Sequence, residues 1–196
     1  MKYLDLNSSG KSLSRIKGWL QLERALLELS WTNDTAYPDE RRSLGTYSSN
    51  GQCFVTSYYL FHALKRCFGL DCVIQRGQII DNLGRKLLSN HCWISFLDKN
   101  EHPWIIDLTA DQSFSIGKTV LIGPETEICR FDGFKFLVES KWTGDELGQI
   151  DTKALIRCQK LIENRQFLSF RAWSVTNLST NVRSNLYKRF RCFRSY

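Results

Sequence analysis

A cysteine stands at the predicted start of a helix, in the segment Gly51-Gln-Cys53-Phe-Val-Thr-Ser57. The first turn of a helix leaves backbone N–H groups unpaired and carries the positive end of the helix dipole, and both favour a thiolate over a thiol. Gly51 allows a tight turn that leaves the sulfur accessible. We therefore expect Cys53 to be the most acidic of the seven cysteines and a candidate nucleophile. Simple packing is the alternative role for a cysteine in this position.

A thiolate nucleophile needs a general base and proton donor, usually a histidine, and the chain has three histidines. His62 follows Cys53 by nine residues, which places it on the opposite side of the same helix. His102 lies in a predicted turn before Pro103, where solvent is its expected partner. His91, at the start of a predicted strand, is therefore the candidate by elimination. A purely structural histidine is the alternative.

Asp107 interrupts an apolar run on the next predicted strand, so its carboxylate needs a partner. We expect Nδ1–H of His91 to be that partner, because the hydrogen bond would fix the imidazole tautomer and favour the imidazolium. The two side chains share a face only if paired residue numbers sum to an even value. Cys92 would then face the other side and is rejected as the nucleophile. Asp98, in the predicted turn, and Asp111, which could instead cap or bind substrate, are competing orienters.

Two further residues are candidates for the site. The Gln52 side chain could join the Cys53 backbone N–H in holding the oxyanion of a tetrahedral intermediate, or it could cap the helix. Trp93 alternates with His91 on one strand face, so it could form the floor of the site or pack in the core. The implied chemistry is attack by the Cys53 thiolate on an acyl or carboxamide carbon, followed by hydrolysis of the thioester. An amine in place of water would make the same site a transglutaminase.

The hydrophobic periodicity predicts three helices and a small antiparallel sheet, which together indicate an α+β fold. Asn50 or Ser49 is the predicted N-cap of the second helix, and Asp151 that of the third. The buried side of the third helix is predicted to hold Leu155, Ile156, Leu161 and Ile162. The predicted helices are 12–30, 51–68 and 151–168, and the predicted strands are 72–75, 78–80, 91–97, 104–109 and 134–138.

Composition places the chain among folded globular proteins. It has 196 residues, of which 42% are hydrophobic and 13% aromatic, enough for one domain with a real core. No apolar run is long enough to span a membrane, and the first residues lack the apolar region of a secretory signal. We therefore expect a cytoplasmic protein, with delivery into a host cell as an effector as the alternative. The scattered cysteines contain no CxxC pair, which argues against a zinc knuckle and a disulfide framework and favours buried thiols in a reducing compartment.

The positive charge is concentrated at the end of the chain. The net charge is +7, and residues 177–196 carry five basic residues and no acidic one. We therefore divide the chain into a catalytic domain, 1–182, and a basic-aromatic tail, 183–196. The tail could bind an anionic partner, such as nucleic acid, a membrane surface or an acidic protein, or it could be a solvated terminus. Five charges are too few to identify a nucleic-acid-binding protein.

Four segments resemble, in order, the motifs of the YunG family of small bacterial proteins. The family patterns are W-S-x-x-T, G-Q-C-A-V-T-A, H-Y-W-N and D-L-T-x-x-Q-F, and the resemblance covers about residues 20–140. The chain departs from them where Cys92 and Ile94 replace Tyr and Asn, and where Ser113 separates Gln112 from Phe114. The matching segments are Trp31-Thr-Asn-Asp-Thr35, Gly51-Gln-Cys-Phe-Val-Thr-Ser57, His91-Cys-Trp93 and Asp107-Leu-Thr-Ala-Asp-Gln112.

The Cys–His–Asp spacing of that family is similar to that of deamidase toxins and effectors related to the Pasteurella multocida toxin. Those proteins look papain-like and convert a target glutamine to glutamate. The resemblance therefore implies a papain-like core with Cys53 as nucleophile, His91 as acid and base, and Asp107 as orienter. Thr109 and Gln112 lie in the last motif and would bind substrate, unless they only finish the strand.

The residues and the resemblance together predict a cysteine hydrolase that acts on a carboxamide, a protein glutamine deamidase or amidase. The expected partner is a protein or peptide that carries a glutamine carboxamide, and no cofactor or metal is expected. A peptidase, a transglutaminase-type acyltransferase and a non-catalytic interaction protein with the same fold are the alternatives. A weaker one is a metal site built from Cys53, His91 and Asp107.

Overall fold

A computed structural model describes residues 10–37, 49–143 and 152–175, with side chains given for 13–37, 49–143 and 152–166. Four α-helices and five strands make up most of these residues. A 3₁₀ turn covers Ala110–Gln112, and a π-helical turn covers Ile128–Asp132. The other elements are α1 Gly10–Glu28, α2 Cys53–Phe68, β1 Cys72–Asp81, β2 Lys86–Leu97, β3 Pro103–Asp107, β4 Leu121–Pro124, α3 Glu125–Glu127, β5 Phe134–Trp142 and α4 Thr152–Val175.

The strands form one antiparallel sheet in the order β4-β3-β2-β1-β5, and long helices precede and follow it along the chain. The expected α+β class is therefore confirmed. Apolar side chains of α1, α2 and α4 form the main core with one face of the sheet. A second, smaller cluster lies on the other face, around Trp93, and includes Ile116 and Ile128 from the segments that flank β4.

The β2–β3 hairpin has the register that the site requires. Ile94 pairs with Ile106, and Phe96 pairs with Trp104, so the paired numbers sum to the even value 200. His91 and Asp107 therefore lie on one face of the sheet, on neighbouring strands. Because neighbouring residues of a strand point to opposite faces, Cys92 lies in the helix-facing core and Trp93 in the cluster behind the sheet.

Two predicted strands, 72–75 and 78–80, are one ten-residue strand, β1. Its pairing with both neighbours shifts next to Gly77, where the backbone of β5 comes so close that an added Cβ would meet the carbonyl oxygen of Leu137 at 1.9 Å. The sequence prediction was wrong because a glycine reads as a break in a strand pattern, whereas here it marks a bulge. Strand β4 was missed, since its four residues contain a glycine and a proline.

The helix ends and faces differ from expectation at three points. Gln52, without a side-chain capping bond, takes the N-cap position of α2, so the prediction of Ser49 or Asn50 was wrong. On α4, Cys158 and Leu161 are buried, but Ile156 is 62% exposed because it lies on the opposite side of the helix from this apolar stripe. The predicted cap Asp151 and the tail 183–196 lie outside the described residues. No helix in the described part of the chain is long and apolar enough to cross a membrane.

Candidate active site

Cys53 is the first residue of α2, and its side chain is half-buried. The preceding turn is closed by a hydrogen bond from the Gln52 backbone N–H to the Ser49 carbonyl, 3.0 Å, and Gly51 takes a φ of 69°. This left-handed conformation costs little only for glycine, which explains the residue at this position. The turn brings the Cys53 sulfur against β2, 4.0 Å from the carbonyl oxygen of Asn90.

His91 and Asp107 form a buried pair. Nε2 of His91 lies 2.6 Å from Oδ2 of Asp107, and each side chain is 1% exposed. The other carboxylate oxygen, Oδ1, accepts hydrogen bonds from the backbone N–H and the hydroxyl of Thr109, at 2.7 and 3.0 Å. Both oxygens of Asp107 are therefore used within the fold, which fixes the carboxylate plane and, through it, the imidazole.

The prediction of which His91 ring nitrogen bonds Asp107 was wrong. We predicted a bond from Nδ1–H of His91 to Asp107, whereas Nε2 makes it. Nδ1 is buried, and no group in the described part of the chain meets it at strict hydrogen-bond geometry. The Cys53 sulfur is the titratable group that interacts with the imidazole besides Asp107. Contacts between nucleophile and base are often long before substrate binds, so Nδ1 is the atom placed to exchange a proton with Cys53.

The electrostatics favour an ion pair between sulfur and imidazole. Hydrogen bonding from Cys92 is the largest effect that holds the pKa of Cys53 well below its ordinary value; burial opposes it, and the hydrogen bond and charge of His91 assist it. Burial alone would lower the pKa of His91, but the charge and hydrogen bond of Asp107, with a smaller effect from Cys53, raise that pKa to about 10. Both shifts favour the thiolate and the imidazolium over the neutral pair.

In the other described cysteines whose pKa is shifted, the pKa is raised, whereas that of Cys53 is lowered. Burial raises the pKa of Cys72 and of Cys158 to about 12, and it also raises that of Cys129. A hydrogen bond to the Cys53 thiolate, together with burial, holds the pKa of Cys92 well above its ordinary value. These four thiols stay protonated at neutral pH, and Cys53 is the acidic one in this group.

Gln52 is not placed as an oxyanion donor. Its side chain is fully buried; the amide oxygen accepts from the Thr35 hydroxyl at 2.8 Å, and the amide nitrogen donates to the Thr32 carbonyl at 3.1 Å. Nearby, the indole N–H of Trp31 donates to the Thr56 hydroxyl at 3.1 Å. The side chain of Gln52 thus ties the segment after α1 to the start of α2.

Trp93 supports the site from behind instead of lining it. It is fully buried, its indole N–H donates to the Gln75 side chain at 2.8 Å, and its ring is nearly parallel to the His91 ring at a centroid distance of 6.3 Å. Phe136 packs on the same indole, 5.1 Å away between ring centroids. Trp93 therefore packs in the core, the second of the two roles expected for it, and it does not line the site as the floor that a substrate would touch.

Thr109 and Gln112 also act within the fold. Thr109 is 1% exposed, and both its hydroxyl and its backbone N–H donate hydrogen bonds to Asp107. Gln112 is half-buried, and its amide nitrogen donates to the carbonyl of Ser49 at 2.5 Å, across to the turn before Cys53. The segment from Asp107 to Gln112 therefore joins the carboxylate of Asp107 to the turn before Cys53.

Arg24 and Asp111 form a buried ion pair that the sequence reasoning missed. The guanidinium donates to both carboxylate oxygens of Asp111, at 2.8 and 2.7 Å, and also to the carbonyl of Leu108. The available signal was the placement of Arg24 on the apolar face of α1, four residues after Leu20 and three before Leu27. This pair anchors α1 to the segment that follows Asp107, and it removes Asp111 from the candidate orienters.

The remaining candidates are also accounted for. Asp98 accepts backbone hydrogen bonds from Asn100 and His102 in the β2–β3 turn, at 2.8 and 2.9 Å. The side chain of His102 is 68% exposed, and the ring of His62 packs against Tyr58. Within the described ranges, no group of three or more His, Cys, Asp or Glu side chains could hold a metal ion.

Searches against protein-family models, curated protein sequences and solved structures found no match for this chain. The chemistry therefore rests on the geometry. A cysteine with a lowered pKa at a helix N-terminus, and a histidine whose ring is bonded to a buried carboxylate, are groups of the kind that can form and hydrolyse a thioester.

Proposed function

We propose that this chain is a papain-like cysteine hydrolase that cleaves a carboxamide through a thioester, and that its substrate is a glutamine side chain of a protein or peptide. The observation that carries the proposal is the buried hydrogen bond of 2.6 Å between Nε2 of His91 and Asp107, and the Cys53 thiol is among the groups that raise the pKa of this histidine. A structural histidine needs one satisfied partner, whereas here the second ring nitrogen is buried and left for the thiolate.

In the proposed reaction, the Cys53 thiolate attacks the carboxamide carbon, and the oxyanion accepts a hydrogen bond from the Cys53 backbone N–H at the start of α2. Nδ1–H of His91 protonates the departing amine, and ammonia leaves as the thioester forms. His91 then takes a proton from water, which attacks the thioester and releases the carboxylate. Asp107 holds the ring in place and stabilises the imidazolium.

The burial of the site favours a side-chain carboxamide over a backbone peptide bond. Cys53 is half-buried and His91 is 1% exposed, so little of the pair is open to solvent. A glutamine side chain can approach with its carboxamide end first. A peptide bond would have to bring the chain in on both sides, which favours deamidation over proteolysis.

The test compares wild type with Cys53→Ala and His91→Ala on casein and on lysate proteins, followed by peptide mass spectrometry. We expect conversion of glutamine to glutamate, with release of ammonia, only with wild type. New chain termini would indicate a peptidase, and amine incorporation a transglutaminase. A Cys53 that alkylates with iodoacetamide no faster than an ordinary thiol, and no turnover in any assay, would favour a non-catalytic interaction protein.

We also propose that the tail 183–196 binds an anionic partner and that the protein is cytoplasmic. The tail is basic and interleaved with aromatic residues. Truncation after residue 182 would separate the two parts of the proposal, since it should leave alkylation of Cys53 unchanged while it removes the binding that the tail provides.

A further inference from the structure

Three large apolar side chains stand out at the surface, and they are the most exposed of their kind in the described part of the chain. Phe114 is 83% exposed, Leu83 is 79% exposed and Phe131 is 72% exposed. A single exposed apolar side chain is ordinary on a protein surface, but a group of them marks a surface that binds a partner or a membrane. Their positions relative to one another therefore decide whether they carry a function.

All three residues lie in turns at one end of the sheet. Strands β1 and β3 finish at this end and β2, β4 and β5 begin there, because the end of β1 pairs with the start of β5 and the end of β3 with the start of β4. Leu83 lies in the turn between β1 and β2, Phe114 in the connection from β3 to β4, and Phe131 in the π-helical turn before β5.

Contacts between these turns join them into one surface. Nζ of Lys118, in the connection from β3 to β4, forms an ion pair with Asp132 of the π-helical turn at 2.5 Å. Gly133 lies so close to the turn between β1 and β2 that an added Cβ would be 3.1 Å from the side-chain nitrogen of Asn82. Each exposed apolar residue is within four residues of one of these contacts. We call this surface the apolar tip, and it consists of Leu83, Phe114 and Phe131.

Hydrogen bonds fix the turns that present the apolar tip. Oδ1 of Asp81 accepts from the backbone N–H groups of Leu83 and Arg85, at 2.9 and 2.8 Å. In the connection from β3 to β4, the carbonyl of Ser113 accepts from the backbone N–H of Ile116 at 3.1 Å, and the Ile116 side chain is buried. The fold therefore holds these apolar side chains out in water, which is unfavourable unless something covers them.

Exposed basic side chains surround the apolar tip. Lys86 begins β2 and Lys135 is the second residue of β5, so both lie at the same end of the sheet, and both are exposed. The guanidinium of Arg130 lies over the ring of Phe131, 5.2 Å from its centroid. Basic side chains next to exposed Phe and Leu are the combination that binds the interface of a bilayer with anionic lipids.

The acidic side chains near the apolar tip do not cancel this charge. Asp81 and Asp132 each form an ion pair with a basic side chain of the same turns, Arg85 or Lys118. The other nearby acids, Glu125 and Glu127, belong to α3, which begins at the opposite end of the sheet, after β4. The charge left around the apolar tip is therefore positive.

We propose that the apolar tip docks on the surface of a membrane that carries anionic lipids, with its three apolar side chains inserted among the headgroups and its basic side chains against lipid phosphates. The apolar residues stand on three separate turns instead of lining a groove, which suits a fluid interface better than one bound peptide. The docking surface does not depend on the proposed hydrolase. Asp107 ends β3 at the same end of the sheet, so docking turns the candidate active site towards the membrane.

The experiment sediments the full-length chain with vesicles of two compositions. One is phosphatidylcholine alone, and the other is two parts phosphatidylcholine to one part phosphatidylserine. We expect binding to the vesicles with phosphatidylserine, much weaker binding to the others, and release of the chain as salt is added, because salt screens the attraction of the basic side chains to the lipid.

A triple serine variant tests the apolar tip itself. We expect it to bind phosphatidylserine vesicles more weakly than wild type by about tenfold or more, because the insertion of apolar surface is lost. It carries Leu83→Ser, Phe114→Ser and Phe131→Ser. A control with the same number of changes at exposed apolar residues outside the apolar tip should bind like wild type, and it carries Leu29→Ser, Leu97→Ser and Ile156→Ser.

Two checks keep this comparison clean. The basic tail 183–196 is present in wild type and in both variants, so it cannot cause a difference between them. Urea unfolding shows whether each variant is folded, which we expect because all the replaced side chains are exposed.

A second pair of variants tests the basic side chains. Lys86→Gln combined with Lys135→Gln should weaken vesicle binding and reduce its dependence on salt. Lys17→Gln combined with Lys160→Gln removes the same charge from exposed positions on α1 and α4, and it should leave vesicle binding unchanged.

The contrary outcomes are distinct. A wild-type chain that does not sediment with phosphatidylserine vesicles, or a triple serine variant that binds as well as wild type, would overturn the docking surface. A protein that co-purifies with wild type and not with the triple serine variant, without vesicle binding, would assign the apolar tip to a protein partner and overturn the membrane. Vesicle binding by a chain without carboxamide turnover would support the docking surface and count against the hydrolase, and turnover without vesicle binding would do the reverse.

Discussion

The imidazole of His91 bonds Asp107 through Nε2, at 2.6 Å, with both side chains 1% exposed. A charged hydrogen bond of this length, shielded from water, is much stronger than the same pair on a surface. It sets the ring orientation, it leaves Nδ1 as the atom for proton transfer, and it raises the pKa of His91 to about 10. The pH dependence and the mutational response of the site both follow from it.

The first prediction concerns pH. The lowered pKa of Cys53 keeps its thiolate present at pH values at which an ordinary cysteine, with a pKa of about 8.5, is mostly protonated. The raised pKa of His91 keeps the imidazolium present until the pH rises through about 10. We expect hydrolysis to fall at low pH, as the thiolate is protonated, and again near pH 10. Iodoacetamide alkylation rates at Cys53, measured from acidic to alkaline pH, provide the check without a known substrate. A rate that simply rises through the ordinary thiol range would contradict the ion pair.

The second prediction concerns Asp107→Asn. The amide carries no negative charge, so burial would dominate, the pKa of His91 would fall, and the Cys53 thiolate would lose its cationic partner. We expect a loss of about 10²- to 10⁴-fold in the rate of the acid–base step. The acidic limb of the alkylation profile should move to higher pH. Asp98→Asn is the matched control, because Asp98 is a buried aspartate in the turn of the same hairpin, and it should leave the profile unchanged.

The third prediction concerns Thr109→Val, which removes the hydroxyl bonded to Oδ1 of Asp107 but keeps the volume and the backbone N–H. A hydrogen bond to a charged group is worth about 1.5–3 kcal/mol. We therefore expect a shift in the alkaline limb of the pH–activity profile, where the imidazolium of His91 loses its proton. The loss of activity should be smaller than that of Asp107→Asn. Urea unfolding separates this effect from a general loss of stability. A variant with reduced stability and a wild-type pH profile would restrict Thr109 to a structural role.

The fourth prediction separates the structural and catalytic roles of Gln52. Truncation to alanine removes two buried hydrogen bonds, to the Thr35 hydroxyl and to the Thr32 carbonyl, and we expect a cost of about 1–3 kcal/mol in the free energy of unfolding. Gln159→Ala, on the exposed side of α4, should cost much less. An undiminished stability together with a drop of roughly 10²- to 10³-fold in turnover would instead assign Gln52 to the oxyanion hole.

The fifth prediction concerns the Arg24–Asp111 pair. Replacing Arg24 by Met leaves a buried carboxylate uncompensated, and we expect a loss of about 3–5 kcal/mol in the free energy of unfolding. The double variant Arg24→Met, Asp111→Leu should recover most of that loss, because no buried charge remains. Chemical denaturation of the two single variants and the double variant forms the cycle, and additive losses would show that the two side chains are not coupled.

The sequence by itself determined the α+β class, the long helices, the β2–β3 hairpin and the residues of the candidate triad. These rest on local causes. Apolar periodicity defines α1 and α2, and the parity of residue numbers in a hairpin decides whether His91 and Asp107 share a face. Local patterns could not predict the approach of the start of α2 to β2. That long-range contact was expected only because a thiolate nucleophile needs a base.

The tertiary structure alone decided which atoms meet. Gln52, Thr109 and Gln112 are polar residues of the kind that bind substrates, and whether they face a cleft or one another depends on segments far apart in the chain. The same holds for the ring nitrogen of His91 that bonds Asp107. Hydrogen bonds and buried charges are satisfied by whichever group the fold brings within about 3 Å, and that distance is a property of packing, which no local pattern encodes.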